Sequence, residues 1–154
     1  MVETFRIRSA CAADLTALMN LYQHLIADDQ RCHEEQAESV LEQLLRYTGS
    51  TILLGELGSD LAASCTLIVI PNLTRGGRSY ALIENVVTHA DFRNRGFGKK
   101  ILNAATELAW EAGCYKVMLM TGSKKASTLA FYQAAGFEQS KTGFQIRRMM
   151  AREE

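Results

Sequence analysis

The sequence predicts an α/β protein built on a mixed, mainly antiparallel sheet, and three observations carry that expectation. The apolar period changes along the chain from helix-like to strand-like and back. The runs "TILLGEL" and "LAASCTLIVIP", joined by the turn "GSD", form a hairpin, which requires an antiparallel pair. The segment from Tyr80 to Thr121 reads strand, helix, strand, and such a βαβ unit requires a parallel pair.

In order, "TFRIRSA" alternates as a first strand. Leu15, Leu18, Met19, Tyr22, Leu25 and Ile26 then fall on one face of an amphipathic helix. A polar connection, "ADDQRCHEEQ", leads to a second helix whose apolar face is Val40, Leu41, Leu44 and Leu45. The hairpin follows, and then the loop "NLTRGGRS" with glycines at its centre. "YALIENVV" is a mostly apolar strand that runs through a glycine-rich junction into a helix carrying Phe97, Ile101, Leu102, Ala105, Leu108 and Ala109 on one side. "YKVMLMT" has the unbroken apolarity of a strand covered on both faces. A last helix over "STLAFYQAA" stops at Gly136, a natural C′ residue, and "GFQIRRMM" is expected to return as a final strand.

Composition bounds the function. The 154 residues suffice for one domain, 1–154, and are too few for two of ordinary size. Lys plus Arg and Asp plus Glu balance at 17 each, so no global field attracts nucleic acid or an anionic membrane, and any anion site must be local. Cys11, Cys32, Cys65 and Cys114 form no C-x-x-C pair and are expected to be reduced thiols. "MVETFRIRSA" has no apolar signal region, and no apolar run approaches a membrane span, so a cytoplasmic protein is expected. His24, His33 and His89 lack metal-ligand spacing, and no metal is expected.

The junction from Glu84 to Leu102 concentrates the chemistry. Arg93-x-x-Gly96-x-Gly98 closes a strand and opens a helix, with Arg93, Arg95, Lys99 and Lys100 around it. A helix N-terminus presents unpaired N–H groups and partial positive charge, and glycines allow a ligand to approach the backbone. A phosphate or pyrophosphate fits such a place; glycines that only shape a turn, among solvated cations, are the alternative. A Walker A loop is excluded because Arg93 and Lys100 stand where it needs glycine and a hydroxyl, and the dinucleotide fingerprint because Ile101 replaces its third glycine. Glu84, inside "LIENVV", is an unusual charge for a buried strand, unless it is exposed or paired with Arg78 or Lys116.

The Arg93-x-x-Gly96-x-Gly98 pattern resembles the acetyl-CoA motif of the GNAT family of N-acetyltransferases, and "FYQAAGF", with Tyr132 four residues before Gly136, resembles the family's second motif. Within the family "IENVV", "GCYKVML", "FYQAAGF" and "GFQIRR" look most like the glucosamine 6-phosphate N-acetyltransferase branch and its bacterial relatives. The resemblance implies a single-domain fold of six to seven strands and about four helices, and transfer of the acetyl group of acetyl-CoA to the primary amine of a small molecule. It implies that Arg93 and the backbone of Asn94, Arg95, Gly96, Phe97, Gly98 and Lys99 hold the pyrophosphate, and that Val86, Val87 and Thr88 pair with the pantetheine arm. Val86 N–H would be the oxyanion donor, Glu84 the base and Tyr132 the acid toward the leaving thiolate, a role suited to a phenol of pKa about 10.

Two departures from the branch fall at expected binding positions. Met120, an expected acceptor contact, stands where the branch has an acidic residue, and Lys125 and Thr128, which the resemblance places among the CoA-binding residues, stand where an asparagine usually precedes the "FY" pair. Arg75 and Arg78 lie in a loop near where the family admits acceptors, which suits a phosphate or carboxylate on the amine, or leaves two solvated arginines. With no G-x-S-x-G elbow and no cysteine beside an evident base, direct transfer in a ternary complex is expected. The branch pairs through its C-terminal strands, which implies a homodimer. Protein acetylation and acetyl-CoA sensing without turnover are the competing functions; retention of both Glu84 and Tyr132 speaks against a sensor.

Overall fold

The hairpin forms as its sequence dictates: β2 (Ser50–Leu57) and β3 (Asp60–Ile70) pair antiparallel, and their apolar runs are buried on both faces of the sheet. The computed structural model describes residues 3–150. β1 (Phe5–Ser9) pairs antiparallel with β2, β4 (Tyr80–Thr88) antiparallel with β3, and β5 (Val117–Met118) parallel with β4, in the spatial order β1-β2-β3-β4-β5. The mixed, mainly antiparallel character is as expected.

Two helical layers account for the double burial. On one face α1 (Leu15–Tyr22) and α2 (Glu34–Arg46) bring Leu18 and Leu41 onto Ile52 and Leu54 of β2. The alternate position of β2 points the other way: a β-carbon at Gly55 would run into the Phe5 ring and lie 3.2 Å from Ile101 of α3 (Phe97–Glu111). On that face Phe5 stacks on Phe97 with ring centroids 4.3 Å apart. Each leucine buried in this way stabilises the fold by about 2 kcal/mol. Arg8 bridges Asp14 at 2.7 Å and Glu56 at 2.6 Å, which ties β1 to β2 and to the approach to α1 and holds the Asp14 carboxyl far below its usual range.

The described residues fall into two compact units that divide between Leu119 and Met120. The first holds the sheet and α1 to α3. The second holds α4 (Ala126–Ala134) and the segment after it. No helix among the described residues is long and apolar enough to cross a membrane.

Several expectations are corrected. The described residues contain five strands and not six to seven, because 143–150 forms no strand. A strand exists only in a ladder; here Phe144, Ile146, Met149 and Met150 are 92%, 100%, 80% and 94% exposed. The parallel strand is confined to two residues of "YKVMLMT". α1 ends at Tyr22, so Leu25 and Ile26 lie in the turns after it, and α2 turns Ala37 and Leu41 inward while Val40 and Leu45 are exposed.

Candidate active site

β4 carries an irregularity at the acidic residue. Thr66 of β3 faces Glu84 and Ser64 faces Val87, so Cys65 alone opposes both Asn85 and Val86. Asn85 takes a φ of 51°, a left-handed conformation that asparagine tolerates better than most residues. Such a bulge bends the strand and re-aims its side chains. Glu84 and Asn85 are consequently both exposed, in breach of strict alternation. Glu84 forms no ion pair with Arg78 or Lys116; Lys116 sits over the Tyr80 and Tyr115 rings at 5.2 and 5.3 Å. β5 pairs with β4 only at Ala81 and Leu82. From Ile83 to Thr88 the β5-side edge of β4 therefore has no strand partner among the described residues.

At its C-terminal end β4 enters a 3₁₀ turn, Ala90–Phe92, and then the glycine loop. Asn94 at φ 60° and Gly96 at φ 79° put two left-handed residues into the loop, one on each side of Arg95. The first α-helical hydrogen bond of α3 runs from Lys100 N–H to Gly96 O at 3.1 Å. Among the described residues no protein acceptor takes the N–H groups of Asn94, Arg95, Gly96, Phe97, Gly98 or Lys99. Gly96 is the residue whose positive φ a side chain would resist. These donors sit at the positive end of a 15-residue helix, which favours an anion there.

The four cations have different surroundings. The Arg95 guanidinium lies over Phe97 at 5.0 Å and Phe92 at 5.6 Å, and the Lys100 ammonium over Phe5 at 5.5 Å and Phe97 at 5.7 Å. Lys99 is exposed. Arg93 uses its guanidinium on the protein: Nε donates to Thr88 O at 3.3 Å and Nη2 to His24 O at 2.9 Å.

His24 was not singled out by sequence, since 69 positions separate it from Arg93. It lies in the turn after α1, and its ring stacks on His89 with centroids 3.9 Å apart. Its Nδ1 accepts from Ala90 N–H at 3.3 Å, and His89 Nδ1 accepts from Asp91 N–H at 3.2 Å. Burial, then His89 and Arg93, push the His24 pKa below its usual 6.5.

Elsewhere in the first unit, Arg75 adopts φ 58° and lies over the Tyr115 ring at 5.7 Å, and Arg78 is exposed with its carbonyl held by Asn72 Nδ2 at 3.3 Å. All four cysteines are free thiols. Cys65 is pushed up to about 12 by burial, which leaves it unreactive beside the bulge.

In the second unit Tyr132 is locked by the end of α4. Gly136 N–H bonds Gln133 O at 2.9 Å and Phe137 N–H bonds Tyr132 O at 3.1 Å, the paired bonds of a Schellman motif with Gly136 at φ 94°. Its hydrophobic contact is the Phe137 ring edge-on to Tyr132 at 6.5 Å, with Phe131 on another side at 5.0 Å. Lys125 is the N-cap residue of α4 and its N–H bonds Ser123 Oγ, which also bonds the Thr128 hydroxyl at 3.2 Å. Met120 is exposed.

The mixed sheet, with a bulged and half-unpaired strand leading into a glycine loop and the N-terminus of a long helix, has the chemistry to receive an anionic ligand beside a strand edge. The acetyltransferase (GNAT) family model matches residues 18–137, and the chain belongs to that family. A candidate acetyltransferase from Agrobacterium tumefaciens str. C58 is 43% identical in sequence, with a TM-score of 0.90 over 93% of this chain and 99% of that one. A glucosamine 6-phosphate N-acetyltransferase of Trypanosoma brucei brucei is 38% identical over 50% of this chain. A probable glucosamine 6-phosphate N-acetyltransferase 2 of Oryza sativa subsp. japonica is 32% identical over 84% of it. The chain spans 50% and 61% of the lengths of those two curated relatives.

Proposed function

We propose that the protein transfers the acetyl group of acetyl-CoA to the primary amine of a small anionic molecule by direct attack in a ternary complex. The observation that carries this reading is the run of six unpartnered N–H groups from Asn94 to Lys99 beside the unpaired edge of β4. They fit a pyrophosphate, and the β4 edge around Val86 and Val87 fits an extended amide-bearing arm. At Thr88 only part of that edge is available, because its carbonyl already accepts from Arg93. Acetyl-CoA supplies an activated thioester. Val86 N–H stabilises the negative charge that develops on the acyl oxygen, Glu84 receives the amine proton through water, and Tyr132 gives its proton to the leaving sulfur.

The exposure of Glu84 suits a base that exchanges protons with solvent. The likeness to glucosamine 6-phosphate N-acetyltransferases and the cations Arg75 and Arg78 support an acceptor bearing phosphate or carboxylate. Because the family match crosses from one unit into the other, we read 1–154 as one catalytic domain. The exposed Phe144, Ile146, Met149 and Met150 support a homodimer that covers them.

Thiol release from acetyl-CoA, measured across glucosamine 6-phosphate, amino acids, polyamines, aminoglycosides and a lysine peptide, tests the activity. Release with one small anionic amine is expected. Release with the lysine peptide alone would replace the small acceptor by a protein, and tight acetyl-CoA binding with no release from any amine would favour a sensor.

A further inference from the structure

The pyrophosphate loop is held from behind by groups that the proposed chemistry does not use. Arg93 joins the carbonyls of Thr88 and His24, so one guanidinium ties the end of β4 to the turn after α1. Two residues of the following turn, Ala90 and Asp91, give their N–H groups to imidazole Nδ1 atoms of His24 and His89. The two rings stack, and Phe92 closes the cluster against His89 at 5.3 Å. Every connection has one end among residues 89–93, immediately before the Asn94 to Lys99 donors.

We propose that neutral His24 is a positioning residue for acetyl-CoA, holding the β4-to-α3 loop in its anion-binding shape, and that protonation of His24 releases that hold and weakens CoA binding. The inference rests on the acetyl-CoA reading of the loop. An imidazole whose Nδ1 accepts a backbone N–H carries its proton on Nε2, and the charged ring has no acceptor left. Protonation thus replaces the bond from Ala90 by two opposed N–H groups. The charged groups facing His24 are His89, Asp91 and Arg93. Arg93 is a fixed positive charge, and the His89 ring at 3.9 Å acts in the same direction; Asp91 opposes them but is 83% exposed and weakly felt. Burial acts in the same direction as Arg93 and His89. His24 is therefore neutral at pH 7 and takes up its proton only at a pH below the ordinary imidazole range.

The test is CoA affinity by calorimetry between pH 5.5 and 8 for the wild type, His24→Asn and His24→Ala. Asparagine keeps an oxygen acceptor near the Nδ1 position and does not titrate; alanine has none. His24→Ala is expected to bind CoA about fivefold more weakly at pH 7.5, the effect of one lost positioning hydrogen bond. His24→Asn is expected to match the wild type at pH 7.5 and to bind more tightly than it at pH 5.5. Titration of the ligand's own phosphate is common to all three proteins and cancels in the comparison. With the preferred amine, KM for acetyl-CoA should follow these shifts while kcat stays within about twofold. Identical pH profiles for wild type and His24→Asn, or unchanged affinity in His24→Ala, would overturn the proposal and leave the acetyl-CoA reading standing. No CoA binding by the wild type would overturn both.

Discussion

Tyr132 is a residue whose proposed role a single substitution can test. On an amphipathic helix a tyrosine beside Phe131 could be simply a packed aromatic, and the helix pattern alone does not separate the two readings. The Schellman bonds and the flanking rings of Phe131 and Phe137 restrain its ring, and a restrained phenol loses little entropy in holding its hydroxyl where a proton is needed. If Tyr132 is the acid, Tyr132→Phe keeps the rings and removes the proton. Its kcat should fall about 100-fold while KM for acetyl-CoA changes less than twofold. Steady-state kinetics with the preferred amine decides this, and an equal loss in turnover and in CoA affinity would make the residue a binding contact.

Among the elements, legibility followed the strength of the local signal. The hairpin and the helix from Phe97 were plain in the sequence because burial imposes long runs of the right period. The bulge was not, since an extra residue in a strand leaves the apolar pattern almost intact; its traces are the charge at Glu84 and the asparagine after it, which accepts φ 51°. The final strand is not legible because alternation marks what could pair and not whether a partner exists. The His24 clamp left no trace, because it joins residues far apart in the chain. Gly55 tests the packing of the elements: the Phe5 ring occupies the place of a β-carbon and is itself stacked on Phe97. Gly55→Ala should destabilise by about 1–3 kcal/mol, which lowers Tm by roughly 3–10 °C in a chain of this size. Phe5→Leu in the same background should recover part of the loss in a double-mutant cycle, and a Tm unchanged by Gly55→Ala would contradict the close approach.

For the whole molecule the open question is what covers the apolar residues near the C-terminus. Phe144 and Ile146 lie two apart, as side chains on one face of a strand do, and both are more than nine-tenths exposed. Large apolar side chains left in water at about 1.5–3 kcal/mol each are a strong incentive to associate, and an extended segment also carries backbone groups that a second strand can satisfy. Arg147 and Arg148, next to them, limit open-ended aggregation and favour a closed pairing of two identical segments. The chain of 17.1 kDa should therefore run at twice that mass in light scattering. Ile146→Glu should shift it toward the monomer by burying a charge in the pairing face, with little change in the core defined by Leu18, Leu41, Ile52 and Leu54. A monomer mass for the wild type across concentration would remove the dimer, and a dimer unmoved by Ile146→Glu would move its interface away from this segment.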